Sequence, residues 1–194
     1  ISDEVWAVIG PLFPAPKSTG RPSVDRRIVV EATAWRFRTG APWRDVPDRF
    51  GKWNSIYKRF NRWAEDGTWE KLLAEVQKRA DAAGKIDWVV SIDSTIARVH
   101  QHGATLERDT GALPNHKNPW SEPPDHGIGR SRGGLTTKIH HAVDGRGRPL
   151  AAIVTGGQRN DEAVLAQVLA EIQIPRLGAG AARARPEAVI ADRA

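Results

Sequence analysis

The most regular alternation of apolar and polar positions runs through Trp53, Ile56, Tyr57, Phe60, Trp63 and Ala64, which recur at i, i+3, i+4 and i+7. The spacing predicts an amphipathic helix over 53–65, with Lys52, Lys58, Arg59 and Arg62 on the face opposite the aromatic stripe. Shorter helices are predicted around it. Ser2, Asp3 and Glu4 precede Val5, Trp6 and Ile9 as a capped helix that the prolines from Pro11 to Pro16 end. Pro22 and Ser23 open a second over 24–38, with Ile28, Ala32 and Trp35 at helical spacing, closed by Thr39, Gly40, Ala41 and Pro42. Gly67 separates 53–65 from a further helix starting at Thr68, which carries Trp69, Leu72, Leu73 and Val76.

From Trp88 the period changes. Trp88, Val89, Val90, Ser91 and Ile92 form a near-continuous, β-branched apolar run, the pattern of a strand buried on both faces, ending at Asp93. Residues 135–143 and 149–155 flank Asp144, Gly145, Arg146 and Gly147, which predicts a hairpin. Asn160, Asp161 and Glu162 start a helix through about Ile172, and a short strand over 188–191 leads into Asp192. The order strand, hairpin, helix, strand describes a mixed α/β sheet. Residues 101–133 read as neither helix nor strand and are taken as a flexible insertion. At its end, Gly129–Gly134 could wrap a phosphate with backbone amides and the guanidiniums of Arg130 and Arg132; linker and nucleic-acid contact both stay open.

Charge divides the chain in the same place as periodicity does. Of its 194 residues, 1–86 hold 16 basic and 11 acidic side chains, and 17–63 hold 12 basic and 4 acidic. Six of eight Trp lie at or before Trp69, and all six His at or after His100. A domain boundary is therefore placed near residue 86, giving 1–86 as a helical, helix-turn-helix-like domain and 87–194 as an α/β domain. A compact basic segment suits a polyanion, duplex DNA above all, although a solvated basic face without a partner has the same composition. The aromatic stripe of 53–65 is read as core, leaving the basic side for phosphates.

With no Cys, disulfides, thiolate metal sites and cysteine nucleophiles are excluded. No apolar run approaches the roughly 20 residues that span a bilayer, so no membrane association and a cytoplasmic location are expected. The chain starts at Ile1 and contains no Met, from which some N-terminal sequence is expected to be missing. A zinc site built on His100, His102, His140 and His141 has no supporting motif, because neighbouring strand residues point to opposite faces.

The two short apolar strands each end in an aspartate. Asp93 alone reads first as an Asx turn closing its strand. If the strands are parallel neighbours, however, Asp93 and Asp192 meet at one edge. Two such carboxylates repel unless divalent cations neutralise them, and hard oxygen ligands with open positions suit magnesium. Two ions held this way could serve phosphodiester chemistry.

Several stretches together resemble bacterial insertion-sequence transposases of the DDE type, in the insertion-sequence-five group. They are Ala41-Pro-Trp-Arg-Asp-Val-Pro47, Phe50-Gly-Lys-Trp-Asn-Ser-Ile-Tyr-Lys-Arg-Phe60, Ser91-Ile-Asp-Ser-Thr95, Gly129-Arg-Ser-Arg-Gly-Gly-Leu-Thr-Thr-Lys-Ile-His140, Asp144-Gly-Arg-Gly-Arg-Pro149 and Val189-Ile-Ala-Asp192. The resemblance implies an RNase H-like catalytic fold, incomplete here, behind a helical DNA-binding region. It implies that Asp93 and Asp192 are the first two acids of a metal-binding triad for Mg2+, with Mn2+ able to substitute. The implied reaction is hydrolysis at the element's ends followed by attack of the freed 3′-hydroxyls on target DNA. Lys52, Lys58, Arg59, Arg62, Arg130, Arg132 and Lys138 are the expected contacts to DNA.

The implied partners are the element's ends, target DNA, further copies of the chain in a homo-oligomeric active complex, and the product of a downstream reading frame. The location implied is the nucleoid. The family's third acid, a glutamate, lies downstream of the second aspartate, and Glu162 and Glu187 both precede Asp192. A C-terminally truncated chain with little activity of its own is therefore expected. The alternatives are a truncated DNA-binding protein that regulates transposition, and a metal-dependent nuclease unrelated to mobility.

Overall fold

The computed structural model describes residues 1–15, 24–100 and 127–192. The chain forms two compact units, Ile1–Val76 and Gln77–Ala194, which divide inside a helix and upstream of the composition change at residue 86.

The first unit is helical. Helix α1 (Asp3–Ile9) is capped by Ser2, whose side chain accepts from the Val5 amide. Helix α2 (Arg26–Thr39) starts two residues later than the periodicity predicts. Asp25 accepts from the Arg27 and Ile28 amides and so fixes the first turn there. Pro22 and Ser23, read as its opening, lie outside the described residues. Gly40 ends α2 in the left-handed conformation (φ 69°), its amide bonded to the Arg36 carbonyl, where a side chain would strain the turn.

Helix α3 (Trp53–Glu65) follows two short 3-10 turns, Trp43–Asp45 and Asp48–Phe50. Its Ile56 and Trp63 are buried beside Phe13, Val29, Val30 and Val46. Phe13 meets Trp63 at 4.6 Å between centroids, and the Trp69 indole donates to the Phe60 carbonyl at 3.2 Å. The stripe of α3 is core, with Tyr57 at its exposed margin. Helix α4 (Thr68–Ala82) begins in this unit and finishes in the next.

The second unit holds a five-stranded sheet: β1 (Val89–Arg98), β2 (Gly129–Ser131), β3 (Gly134–Val143), β4 (Pro149–Gly156) and β5 (Ala188–Ala191). Strand β3 pairs antiparallel with β1 on one side and with β2 and β4 on the other; β5 adds to β1 in parallel. Helix α5 (Asp161–Ala170), capped by Asn160, packs Val164 and Val168 into a core with Trp88, Val90, Ala142 and Leu150. The last turns of α4 belong to this unit, because the Gln77 amide nitrogen donates to the Pro149 and Leu150 carbonyls at 3.0 Å.

Two strand expectations are corrected. First, β1 does not end at Asp93 but continues to Arg98, because β3 goes on pairing with it as far as Arg98↔Thr136. It is also buried on one face only: Trp88 and Val90 point into the core, whereas Val89 and Ser91 are half-buried. Second, Gly129–Ser131 is a strand in a tight hairpin (Ser131↔Gly134), so its amides and carbonyls run along β3 instead of wrapping a phosphate. The remaining insertion, 101–126, and His102 lie outside the described residues.

Asp144 holds the β3–β4 turn to the start of β1. Buried at 1% exposure, it accepts from the amides of Arg146, Arg148 and Asp87 at 3.0, 2.7 and 3.2 Å. Arg183 pins the Gly- and Ala-rich segment before β5, its guanidinium 4.1 Å from the Trp88 ring centroid and bridged to Asp81 and Glu187. Among the described residues no helix is long and apolar enough to cross a membrane.

Candidate active site

Strands β1 and β5 run parallel, and their last paired residues are Ile92 and Ala191. Asp93 and Asp192 each follow directly, so the sheet sets the two residues at neighbouring positions after the last pair of β1 and β5. Both are exposed. They border a cavity of about 340 Å3 whose wall continues through Ser94, His140, Asp161 and Glu162 to the apolar side of α5 at Leu165 and Val168. Among the described residues four carboxylates line this space, so their field favours cations.

The neutral and basic groups next to it are tied into one network. Asp161 Oδ1 lies 3.2 Å from Lys138 Nζ and 3.2 Å from His140 Nδ1, and its carboxylate also accepts from the Ser94 hydroxyl. Burial pushes the Asp161 carboxyl up, but the Ser94 hydroxyl and the Lys138 ammonium outweigh it and hold the group below the usual carboxylate range. Burial lowers the His140 imidazole against the opposing pull of Asp161, so the ring is neutral near pH 7. His140 Nε2 lies 2.9 Å from the Thr155 hydroxyl, which itself donates to the Gly156 carbonyl at 3.3 Å.

Of the residues singled out in the sequence, the structure brings Asp93 and Asp192 to one cavity and places Lys138 against Asp161. Lys138 is engaged: Nζ also donates to the Arg159 carbonyl at 2.9 Å, and the side chain is 13% exposed. Arg130 on β2 and Arg132 in the following turn are exposed. In the first unit Lys52, Lys58 and Arg62 are exposed, whereas Arg59 is half-buried with its guanidinium 6.0 Å from the Trp63 ring centroid.

The sequence does not mark Ser94, His140 and Asp161 as members of this site, and Asp161 reads there only as a helix-starting acid. The available signal is that Lys138 and His140, two apart on a strand, share one face.

Among the described residues no three His, Asp or Glu gather closely enough to cage a metal ion. Asp93 and Asp192 supply two hard oxygen donors at an acidic cavity, which fits magnesium, an ion usually held by one or two carboxylates with water and phosphate completing the shell.

Comparison with known proteins bears on both units. Residues 1–73 match the family described as "Putative transposase of IS4/5 family", and residues 84–194 match "Transposase DDE domain". The protein y4sN of Sinorhizobium fredii is 35% identical over 112 residues, covering 57% of this chain and 86% of that protein. The 16.2 kDa protein of insertion element IS402 of Burkholderia cepacia is 31% identical over 114 residues, covering 55% of this chain and 78% of its own length. No solved structure matches. The mixed sheet with α5 against it fits an RNase H-like fold.

Proposed function

The chain belongs to the IS4/5 family of transposases with a DDE domain, and from that premise we propose that it binds transposon-end DNA and contributes Asp93 and Asp192 to magnesium-dependent cleavage and strand transfer. The observation that carries this reading is the parallel register Ile92↔Ala191, which sets both aspartates on one acidic cavity.

An acidic cavity repels a phosphodiester until cations neutralise it. Divalent ions bound there supply Lewis acidity at the scissile phosphate and lower the pKa of the attacking water or hydroxyl. Asp93 and Asp192 hold and space the site from rigid strand ends, so that little remains for side-chain acids and bases to do. Burial lowers the His140 pKa, and its ring is bonded to Thr155 within the fold. The exposed Lys52, Lys58 and Arg62 on the polar side of α3, in a helix-turn-helix-like first unit, grip phosphates and set the register on the duplex. Exposed Arg130 and Arg132 extend the basic surface of the second unit. Further copies of the chain complete the active complex on nucleoid DNA, with Mn2+ able to replace Mg2+.

The deciding experiment incubates the chain and its Asp93→Asn variant, each with the downstream product expected to carry the third acid, with end-containing duplex DNA and Mg2+, scoring cleavage and strand transfer separately. Activity in the parent chain that Asp93→Asn abolishes supports the reading. Cleavage retained by the variant removes Asp93 from the site. Duplex binding without cleavage by the parent chain points instead to a regulatory DNA-binding protein.

A further inference from the structure

Asp161 is the first residue of α5, yet it does not cap that helix. Asn160 does so, accepting from the Glu162 amide at 3.2 Å. The Asp161 carboxylate is directed to the sheet instead, where the Ser94 hydroxyl of β1 and Lys138 Nζ of β3 donate to it and His140 Nδ1 lies 3.2 Å away. Ser94 and His140 are cross-strand partners, and Lys138 lies two residues away on the same face. His140 continues the chain of bonds to Thr155 of β4. One carboxylate thus joins α5 to three strands.

Ser94 links this network to the site. Its hydroxyl donates to Asp161, while its backbone amide donates to Asp93 Oδ1 at 2.7 Å. Among the described residues, pairing with β5 ends at Ile92, and β3 goes on pairing with β1 past Asp93. Successive strand side chains diverge, so the two carboxylates communicate through the Ser94 backbone.

We propose that Asp161 is a positioning residue for Asp93, fixing the β1 backbone at its carboxylate through Ser94, with Lys138 and His140 holding Asp161 in place. The proposal rests on the reading of Asp93 as a metal-holding carboxylate. The chain Asp161–His140–Thr155 has the order of a nucleophile relay, but Thr155 does not line the cavity, so the chain is a brace.

The test uses the full chain and free Mn2+ measured by electron paramagnetic resonance. Asp161→Ala and Ser94→Ala each weaken Mn2+ binding about 10–100-fold, the usual effect of removing a group that orients a metal ligand. Ser94→Thr keeps the hydroxyl and restores parental binding, which a loss of folding would not. The double variant binds little worse than either single one, because both remove the same link. Parental binding by Ser94→Ala overturns the proposal.

A second readout needs no metal. In amide NMR spectra, Asp161→Ala moves the Ser94 resonance, which reports the bond to Asp93, and leaves the Arg146 and Arg148 amides at Asp144 unchanged. An unmoved Ser94 amide overturns the proposal even where no metal binds. Failure of the parent chain to take up Mn2+, with the Ser94 amide shifted as expected, strikes only the metal reading of Asp93.

Discussion

Lys138 and Asp161 meet at 3.2 Å across the gap between β3 and the first turn of α5, and the same ammonium holds the Arg159 carbonyl at 2.9 Å. This lysine braces Asp161, one of the carboxylates lining the acidic cavity. Lys58 and Arg62, by contrast, extend into solvent from α3. The two kinds of cation separate in a salt titration of duplex binding. Neutralising Lys58 and Arg62 together reduces the slope of log K against log salt by about 1.8, at roughly 0.9 for each phosphate that is no longer neutralised. Lys138→Met leaves the slope unchanged and lowers the melting temperature. An equal change of slope in Lys138→Met returns that residue to the DNA surface.

Asp144 sets the acid limit of the second unit. Burial pushes its carboxyl up, but the amides of Arg148, Asp87 and Arg146 outweigh it and hold the group below the ordinary aspartate range. A depressed folded-state value means that the unfolded chain takes up the proton first. Its stabilisation is therefore complete above the unfolded aspartate pKa and is lost as pH falls through the lower folded value. Asp144→Ala leaves buried amides without an acceptor and costs about 1–3 kcal/mol near neutrality. Chemical denaturation between pH 2 and pH 7 checks this, since the variant should lose the acid-dependent part of the curve along with the stability.

How much of this was legible in the sequence depends on the range of the interaction. Helix α3 was readable because an aromatic stripe and its basic back repeat every turn. The hairpin at Asp144 was readable because turn chemistry is local. The neighbouring positions of Asp93 and Asp192 were conditional on a strand order that pairs residues about a hundred positions apart, which periodicity does not encode. The length of β1 was misjudged for the same reason. Thr95, Ile96, Ala97 and Arg98 are exposed and show no apolar run, and only their partners on β3 keep them in a strand. Asp161 was hidden because an acid at a helix start has an ordinary local explanation, while its partners come from two other elements.

His140 is expected to stay neutral near pH 7. Burial depresses the ring's pKa, so the unfolded chain protonates first as pH falls below the ordinary histidine value. Its contribution to stability is complete above that value and declines as pH falls towards the folded one. Imidazole nitrogen shifts followed with pH check this: a doubly protonated ring at pH 7 contradicts it.

The Asp93–Asp192 pair sets site chemistry against stability. Like charges at neighbouring positions of adjacent strands cost a sheet about 0.2–1 kcal/mol. Asp93→Asn removes one of them while keeping size and shape, so in EDTA the variant unfolds at the parental temperature or slightly above it. Divalent ions reverse the order. At about a hundredfold excess over its dissociation constant, a ligand bound only by the folded state adds roughly 2.7 kcal/mol, which raises the melting temperature of the parent chain. Asp93→Asn loses most of that rise, because a single carboxylate is left to hold the ion. Thermal unfolding of both chains with EDTA, Mg2+ and Mn2+ measures the crossover. An equal metal-induced rise in both chains means that the ion sits elsewhere, and a variant destabilised in EDTA means that Asp93 serves the fold before it serves a metal.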